Sequence, residues 1–327
     1  MDILPAHSAS RSAKAPAKLR SNSTTLSDSS VPSKNLVVVR AGPRSLHRDW
    51  NLSSHTDQFD VVVSYYGDGE YIPAAGESVH YFKGGKFEGI FDLFQKRPEL
   101  MRDYTHIWIP DDDIGTNIDD IAKLFDIAKA RRLQICQPSL SWKSYHSHFI
   151  TLYNPHFELR YTNFVEMMAP VFTSDALREL TPLFEGLRFG WGLDEIWCRL
   201  LPAPEFGSAI IDAVTVDHMR PLGSGALYET AKSPRNERLE FFQKIGIGDE
   251  RFRPKVYAGL DFRKSKLVRG IRLWHHLYSG WKGMGAAPAA QARLKPMKIL
   301  KHVKRCAVGE CDLTPININL GSTAAPH

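Results

Sequence analysis

The chain has 327 residues, 43% of them hydrophobic and 24% charged, with a formal net charge of +6. That composition is ordinary for a globular protein with a sizeable core and excludes a wholly disordered chain. The positive balance points to an anionic partner, whether nucleic acid, nucleotide phosphate or a lipid surface.

No stretch approaches the roughly 18 apolar residues that a spanning helix needs, so no transmembrane segment is expected. The N-terminus also lacks a continuous apolar signal-peptide core. The four cysteines, Cys136, Cys198, Cys306 and Cys311, include one close pair, Cys306-x4-Cys311. With no second Cys or His pair at ligand spacing, buried free thiols in a reducing compartment are expected rather than structural zinc.

In chain order, residues 1–33 are rich in Ser, Ala and Pro with scattered Arg and Lys, and read as a disordered tail. The apolar runs at 35–42 and 59–67 read as buried strands of a parallel sheet. Helical spacing of Phe87, Ile90, Phe91 and Phe94 predicts a helix over 86–95. His106-Ile-Trp-Ile109 is a short β-prone run closed by Pro110, and it ends in Asp111, Asp112 and Asp113. A helix over 118–131 and a strand over 133–138 complete an alternation that predicts βαβ units.

The second half is patterned differently. Residues 160–172 read as one strand or two, interrupted at Pro170, and 175–184 as a short helix capped by Ser174. A Gly190-Trp-Gly192 turn then leads into a helix that carries Asp194 and Glu195 at its start. A strand over 209–218 ends in Asp217 and His218, and a polar helix covers 237–245. Beyond it lie Arg263, Lys264, Lys266, Arg269 and Arg272 before a stretch containing Trp274 and Trp281, then Lys295, Lys298, Lys301, Lys304 and Arg305. The expected organisation is a tail (1–33), one α/β domain (34–250) with a mostly parallel central sheet flanked by helices, and a basic C-terminal extension (251–327).

Three adjacent carboxylates repel one another unless a cation or hydrogen-bond donors offset the charge. One reading is a divalent metal carrying a phosphate-bearing substrate at the sheet edge where open α/β folds bind ligands. The other is a helix start, since Asp is a good N-cap and Asp112 stands shortly before the helix at 118. His218 is a borderline ligand that suits Mn²⁺ better than Mg²⁺, or a satisfied surface histidine. In Gly190-Trp-Gly-Leu-Asp-Glu195, the indole face can cover a sugar or base and a carboxylate can deprotonate a hydroxyl. The same acids also suit a helix's first turn without any catalysis.

In this order, the strand ending in Asp111-Asp-Asp113, the Gly190-Trp-Gly-Leu-Asp-Glu195 turn and the strand ending Asp217-His218 resemble GT-A-type (Rossmann-like) glycosyltransferases. Residues 35–225 also resemble a domain-of-unknown-function family of plant and bacterial proteins, through the Asp triplet, Gln137-Pro138, Phe164-Val-Glu-Met-Met-Ala-Pro170 and the Gly-Trp-Gly-Leu-Asp turn. The resemblance implies that Asp111 and Asp113 play an Asp-x-Asp role, with Mn²⁺ or Mg²⁺ bridging a nucleotide-sugar diphosphate and Asp111 also near the ribose. It implies His218 as the later metal ligand and Asp194 or Glu195 as the acceptor base of an inverting enzyme. Tyr65, Tyr66 and Asp68, at the end of the second strand, are the candidates for the nucleotide side.

The expected function is therefore a metal-dependent glycosyltransferase acting from a nucleotide sugar onto a glycan or lipid-linked acceptor. It is expected to be cytoplasmic, with the basic extension meeting an anionic membrane surface rather than nucleic acid. The alternatives are a nucleotidyltransferase or phosphohydrolase on the same metal site, and a non-enzymatic RNA- or membrane-binding protein that works through its basic C-terminal region.

Overall fold

A computed structural model describes residues 34–52, 58–202, 205–223, 233–249, 252–286, 294–316 and 318. The expected tail lies outside them. The strands are β1 (Asn35–Ala41), β2 (Phe59–Tyr65), β3 (Glu77–Tyr81), β4 (His106–Trp108), β5 (Ile114–Gly115), β6 (Ile135–Leu140), β7 (Phe157–Thr162), β8 (Val171–Thr173), β9 (Ser208–His218), β10 (Val256–Asp261) and β11 (Leu267–Val268). The helices are α1 (Lys86–Lys96), α2 (Ile118–Ala130), α3 (Ser174–Leu180), α4 (Leu193–Leu200), α5 (Pro234–Lys244), α6 (Gly270–Gly285) and α7 (Pro296–Ala307).

One large sheet runs in the order β11-β10-β7-β9-β6-β8-β4-β1-β2-β3, with β5 paired to the end of β9. Strands β1, β2, β3, β4, β6, β9 and β10 point one way, and β7, β8 and β11 run against them. The fold is thus a single α/β domain whose sheet is mostly parallel in strand direction and flanked by helices, as the alternating pattern predicts.

Strand β1 shows why its central run, Leu36–Val39, is apolar. Leu36 and Val38 pack into one core layer, and Val37 and Val39 into the layer on the opposite face. Helices α1, α3, α4 and α5 cover the first layer, while α2, α6 and α7 cover the second. A strand buried on both faces has no polar alternation to display.

Three local readings are corrected. Asn117 caps α2, its side chain accepting from the Asp120 N–H at 2.9 Å, so Asp112 is not the cap. Thr173 caps α3, and Ser174 instead donates to the Tyr104 carbonyl. Residues 163–170 are not strand, and several of their backbone groups are taken by side chains: Glu166 N–H donates to Gln137 Oε1 (2.5 Å), Trp197 Nε1 donates to Val165 O (2.9 Å) and Trp108 Nε1 to Ala169 O (3.1 Å). Those partners satisfy the chain without a ladder.

The residues expected to form a separate basic extension carry β10, β11, α6 and α7, and β10 hydrogen-bonds to β7 inside the same sheet. Trp281, read as part of a basic lipid or RNA surface, is fully buried. Its Nε1 donates to Leu152 O at 3.1 Å, and its ring lies under the Arg160 guanidinium. Among the described residues, no helix is long and apolar enough to cross a membrane.

Candidate metal centre and active site

The parallel strand ends place the triplet. Pro110 closes the run that follows β4, and Asp111 N–H then donates to Met168 O (2.8 Å), which anchors the first aspartate to the 163–170 segment. The three carboxylates diverge. Asp111 Oδ1 accepts from Lys86 Nζ at 2.7 Å, and the same ammonium donates to Met167 O (2.8 Å) and Met168 O (3.1 Å). Burial pushes the Asp111 carboxyl up, with Lys86 opposing, and burial pulls the Lys86 ammonium down, with Asp111 opposing.

Asp112 turns to the neighbouring strand ends. Its Oδ2 accepts from Gly42 N–H (2.9 Å) after β1 and from Tyr66 Oη (2.9 Å) after β2, and its Oδ1 accepts from Arg220 (3.0 Å) after β9. Asp113 faces His218 instead, with 3.2 Å between a carboxylate oxygen and Nε2. The pairing of Ile114 with His218 in β5 and β9 fixes this approach, and Met219 N–H donates to Asp113 O at 3.0 Å.

His218 is oriented on its other side. Nδ1 lies 2.8 Å from the Tyr145 carbonyl, which can only accept, so Nδ1 carries the proton and Nε2 is turned to the aspartates. Burial lowers the imidazole's affinity for a proton, but the Asp113 carboxylate outweighs it and the pKa lies above the ordinary histidine value.

Asp111, Asp113 and His218 each offer one ligand atom, all within 4.8 Å of one another. Donor atoms about 2.1 Å from one ion sit at most about 4.2 Å apart, so a small contraction closes the set. Two carboxylate oxygens and one imidazole nitrogen suit Mn²⁺ or Mg²⁺ and leave positions for phosphate and water.

The second constellation lies on α4 and the turn before it. Gly190 and Gly192 have φ of 77° and 99°, the left-handed region that glycine adopts without strain. Glu237 of α5 holds the turn from below: its buried carboxylate accepts from the N–H groups of Arg188 (3.0 Å), Phe189 (2.8 Å) and Gly190 (2.9 Å). Trp191 is thereby presented to solvent. Asp194 is buried in the first turn of α4, and burial, aided by Glu195, pushes its carboxyl up to about 7. Glu195 is gripped by Arg238 through two contacts of 2.7 Å.

Glu166, from the irregular segment, is the neighbour of both constellations. It is buried, its Oε2 has no hydrogen-bond partner, and burial followed by the Asp194 charge pushes its carboxyl up to about 8.

Of the residues expected near a nucleotide, Tyr66 reaches the triplet through Asp112 and lies half-exposed beside Arg40. Tyr65 turns into an aromatic cluster with Tyr71 and Tyr81, and Asp68 pairs with Lys83 at the surface. The sequence reading missed Lys86, Glu166, Arg220 and Glu237. Glu166 had a signal, a charged residue inside an apolar stretch, which is rarely buried without a role. Arg220 follows His218 by two residues, the spacing that keeps extended side chains on one side. Lys86 and Glu237 gave none, since each meets its partners only through tertiary folding.

No protein-family model matches the sequence, and no curated protein does. Solved structures with a similar fold include S. aureus TarS residues 1–349 in complex with UDP-GlcNAc, at 9% identity and TM-score 0.45, with 64% of each chain covered. GalNAc-T7 with UDP, GalNAc and Mn²⁺ aligns at 10% identity and TM-score 0.43 over 82% of this chain and 54% of that one. A putative nucleotide-diphospho-sugar transferase from Desulfovibrio desulfuricans G20 aligns at 10% identity and TM-score 0.36 over 65% of this chain and 98% of its own. The chain thus spans less than two thirds of the length of the first two.

Proposed function

We propose that the protein is a metal-dependent glycosyltransferase that moves a sugar from a nucleotide-sugar donor to a glycan or lipid-linked acceptor. The observation that carries this reading is the convergence of Asp111, Asp113 and His218 at the C-terminal edge of the parallel strands, with His218 Nδ1 already committed to a backbone carbonyl. The three residues would hold Mn²⁺ or Mg²⁺, which would supply charge stabilisation for a leaving diphosphate. Tyr66 and the Gly42 backbone, tied together by Asp112, border the nucleotide, and Trp191 offers a ring face to a sugar.

Asp194 serves as the acceptor base. The acceptor oxygen bonds to the anomeric carbon, the bond from that carbon to the diphosphate oxygen breaks with its electron pair on the diphosphate, and the hydroxyl proton passes to Asp194. A carboxyl tuned to about 7 is matched to that task, whereas the Glu195 carboxylate is engaged by Arg238.

Calorimetric titration of UDP and GDP with and without Mn²⁺ tests the proposal. Wild type should bind one of them only with metal, and Asp113→Ala and His218→Ala should both lose that binding while keeping their circular dichroism. Metal-independent binding, or none, overturns it. Release of pyrophosphate or free phosphate in place of nucleoside diphosphate would transfer the site to phosphoryl chemistry.

A further inference from the structure

In residues 262–272 three large apolar side chains and five cations are exposed together in a folded element. The hairpin from β10 to β11 turns tightly, with Asp261 N–H donating to Lys266 O and Ser265 N–H to Asp261 O, both at 2.9 Å. The Asp261 carboxylate is consumed locally, accepting from Arg263 N–H (2.9 Å) and Lys264 N–H (2.7 Å) and pairing with His276 (3.1 Å). Arg263, Lys264 and Lys266 stand in the turn and Arg269 and Arg272 follow β11, all exposed; Arg269 pairs with Glu205 at 3.4 Å. Between them Phe262 is 57% exposed, Leu267 47% and Ile271 80%.

Each of these apolar residues has a buried neighbour that explains the element without it. Val268 packs into the core opposite Gly259, and Leu273 fills the layer under α6. Phe262, Leu267 and Ile271 thus keep about half or more of their surface in solvent.

We infer that the β10–β11 hairpin and the first turn of α6 dock on an anionic lipid surface, Phe262, Leu267 and Ile271 entering the headgroup boundary while Arg263, Lys264, Lys266 and Arg272 pair with lipid phosphates. Aliphatic and aromatic side chains set among Lys and Arg are the chemistry of interfacial insertion. Nucleic acid fits less well, because Leu267 and Ile271 have no ring to stack on a base.

Topology adds a consequence. Strand β10 runs in the same direction as β1, β4 and β9, so the hairpin tip leaves the sheet at the edge that carries Asp111, Asp113 and His218. Only the tip lies at that edge: β11 runs back along β10, and Arg269 reaches Glu205 just before the start of β9. The docking itself does not depend on the proposed reaction.

Flotation of the full-length protein with phosphatidylcholine vesicles, with and without phosphatidylglycerol, tests the inference. Binding should require the anionic lipid, weaken as salt rises, and fall roughly tenfold or more in Phe262→Ser/Ile271→Ser. Lys264→Glu/Lys266→Glu should lose binding as well, and both double variants should melt with wild type because every altered side chain is exposed. Equal flotation with neutral vesicles, no flotation, undiminished binding by either variant, or salt-sensitive RNA binding lost in these same variants without lipid binding would overturn it.

Discussion

Replacing Glu166 by Gln is expected to stabilise the protein by an amount that grows with pH. The folded carboxyl is pushed up to about 8 from an ordinary 4.5, chiefly by burial, so between those values the folded chain holds a proton that the unfolded chain has released. Proton uptake on folding makes stability fall as pH rises through that window, by about 1.36 kcal/mol per pH unit for one group. Below pH 4.5 both states are protonated and nothing is lost; at pH 7 the cumulative loss is about 3 kcal/mol. The amide is nearly isosteric and never ionises, so Glu166→Gln removes this slope. The check is urea unfolding of both proteins in chelator at closely spaced pH values from 4 to 8. The two stabilities should lie within about 1 kcal/mol of each other at pH 4, and the variant should lead by about 3 kcal/mol at pH 7. Parallel pH profiles, or a variant that falls behind as pH rises, would refute the reasoning and mean that Glu166 is ionised in the fold.

Two other substitutions probe the supports of the site. Lys86→Met leaves Asp111 Oδ1 without its ammonium, and because Asp111 is partly solvated the loss should be about 1–2 kcal/mol rather than the larger penalty of a fully buried pair. Added Mn²⁺ should raise the melting temperature of this variant more than that of wild type; an equal rise would detach Lys86 from the metal site. Glu237→Gln keeps one acceptor oxygen where the carboxylate uses two, so unfolding in urea should show a loss of about 2–3 kcal/mol. A loss under about 0.5 kcal/mol would mean that the Gly-Trp-Gly turn holds itself.

What was legible in the sequence followed from burial pattern. β1 and β2 carry apolar runs because both sheet faces are covered, and α2 declares itself through Ile121, Leu124, Phe125 and Ala128 on one face. The C-terminal third was misread because its charge drew attention away from its periodicity. Val256, Ala258 and Leu260 alternate as an amphipathic strand does, and Leu273, Leu277 and Trp281 recur every four residues as a buried helix stripe does. Residues 163–170 mislead in the opposite direction: strand-prone side chains are present, but indole and amide groups from distant segments take the backbone's hydrogen bonds. The candidate metal set was readable as residue types in order, whereas its electrostatic frame was not, since Lys86 lies 25 residues before Asp111 and Arg220 108 residues after Asp112.

The triplet illustrates how three adjacent carboxylates can coexist. Each faces a different basic side chain: Asp111 meets Lys86 at the start of α1, Asp112 meets Arg220 after β9, and Asp113 meets His218 at the end of β9. The repulsion that makes such a run costly is therefore offset pairwise, and the division of labour follows from direction. Asp111 and Asp113 converge on one side with His218, where a divalent ion can join two negative groups. Asp112 points away and ties the Gly42 backbone, Tyr66 and Arg220 together, so the ends of β1, β2 and β9 are fixed to the end of β4 through a single carboxylate. A metal site made of flexible strand ends would close on its ion only at an entropic cost. Here the middle residue of the motif has met that cost in the fold, which is a physical reason for an Asp between the two ligands rather than any residue.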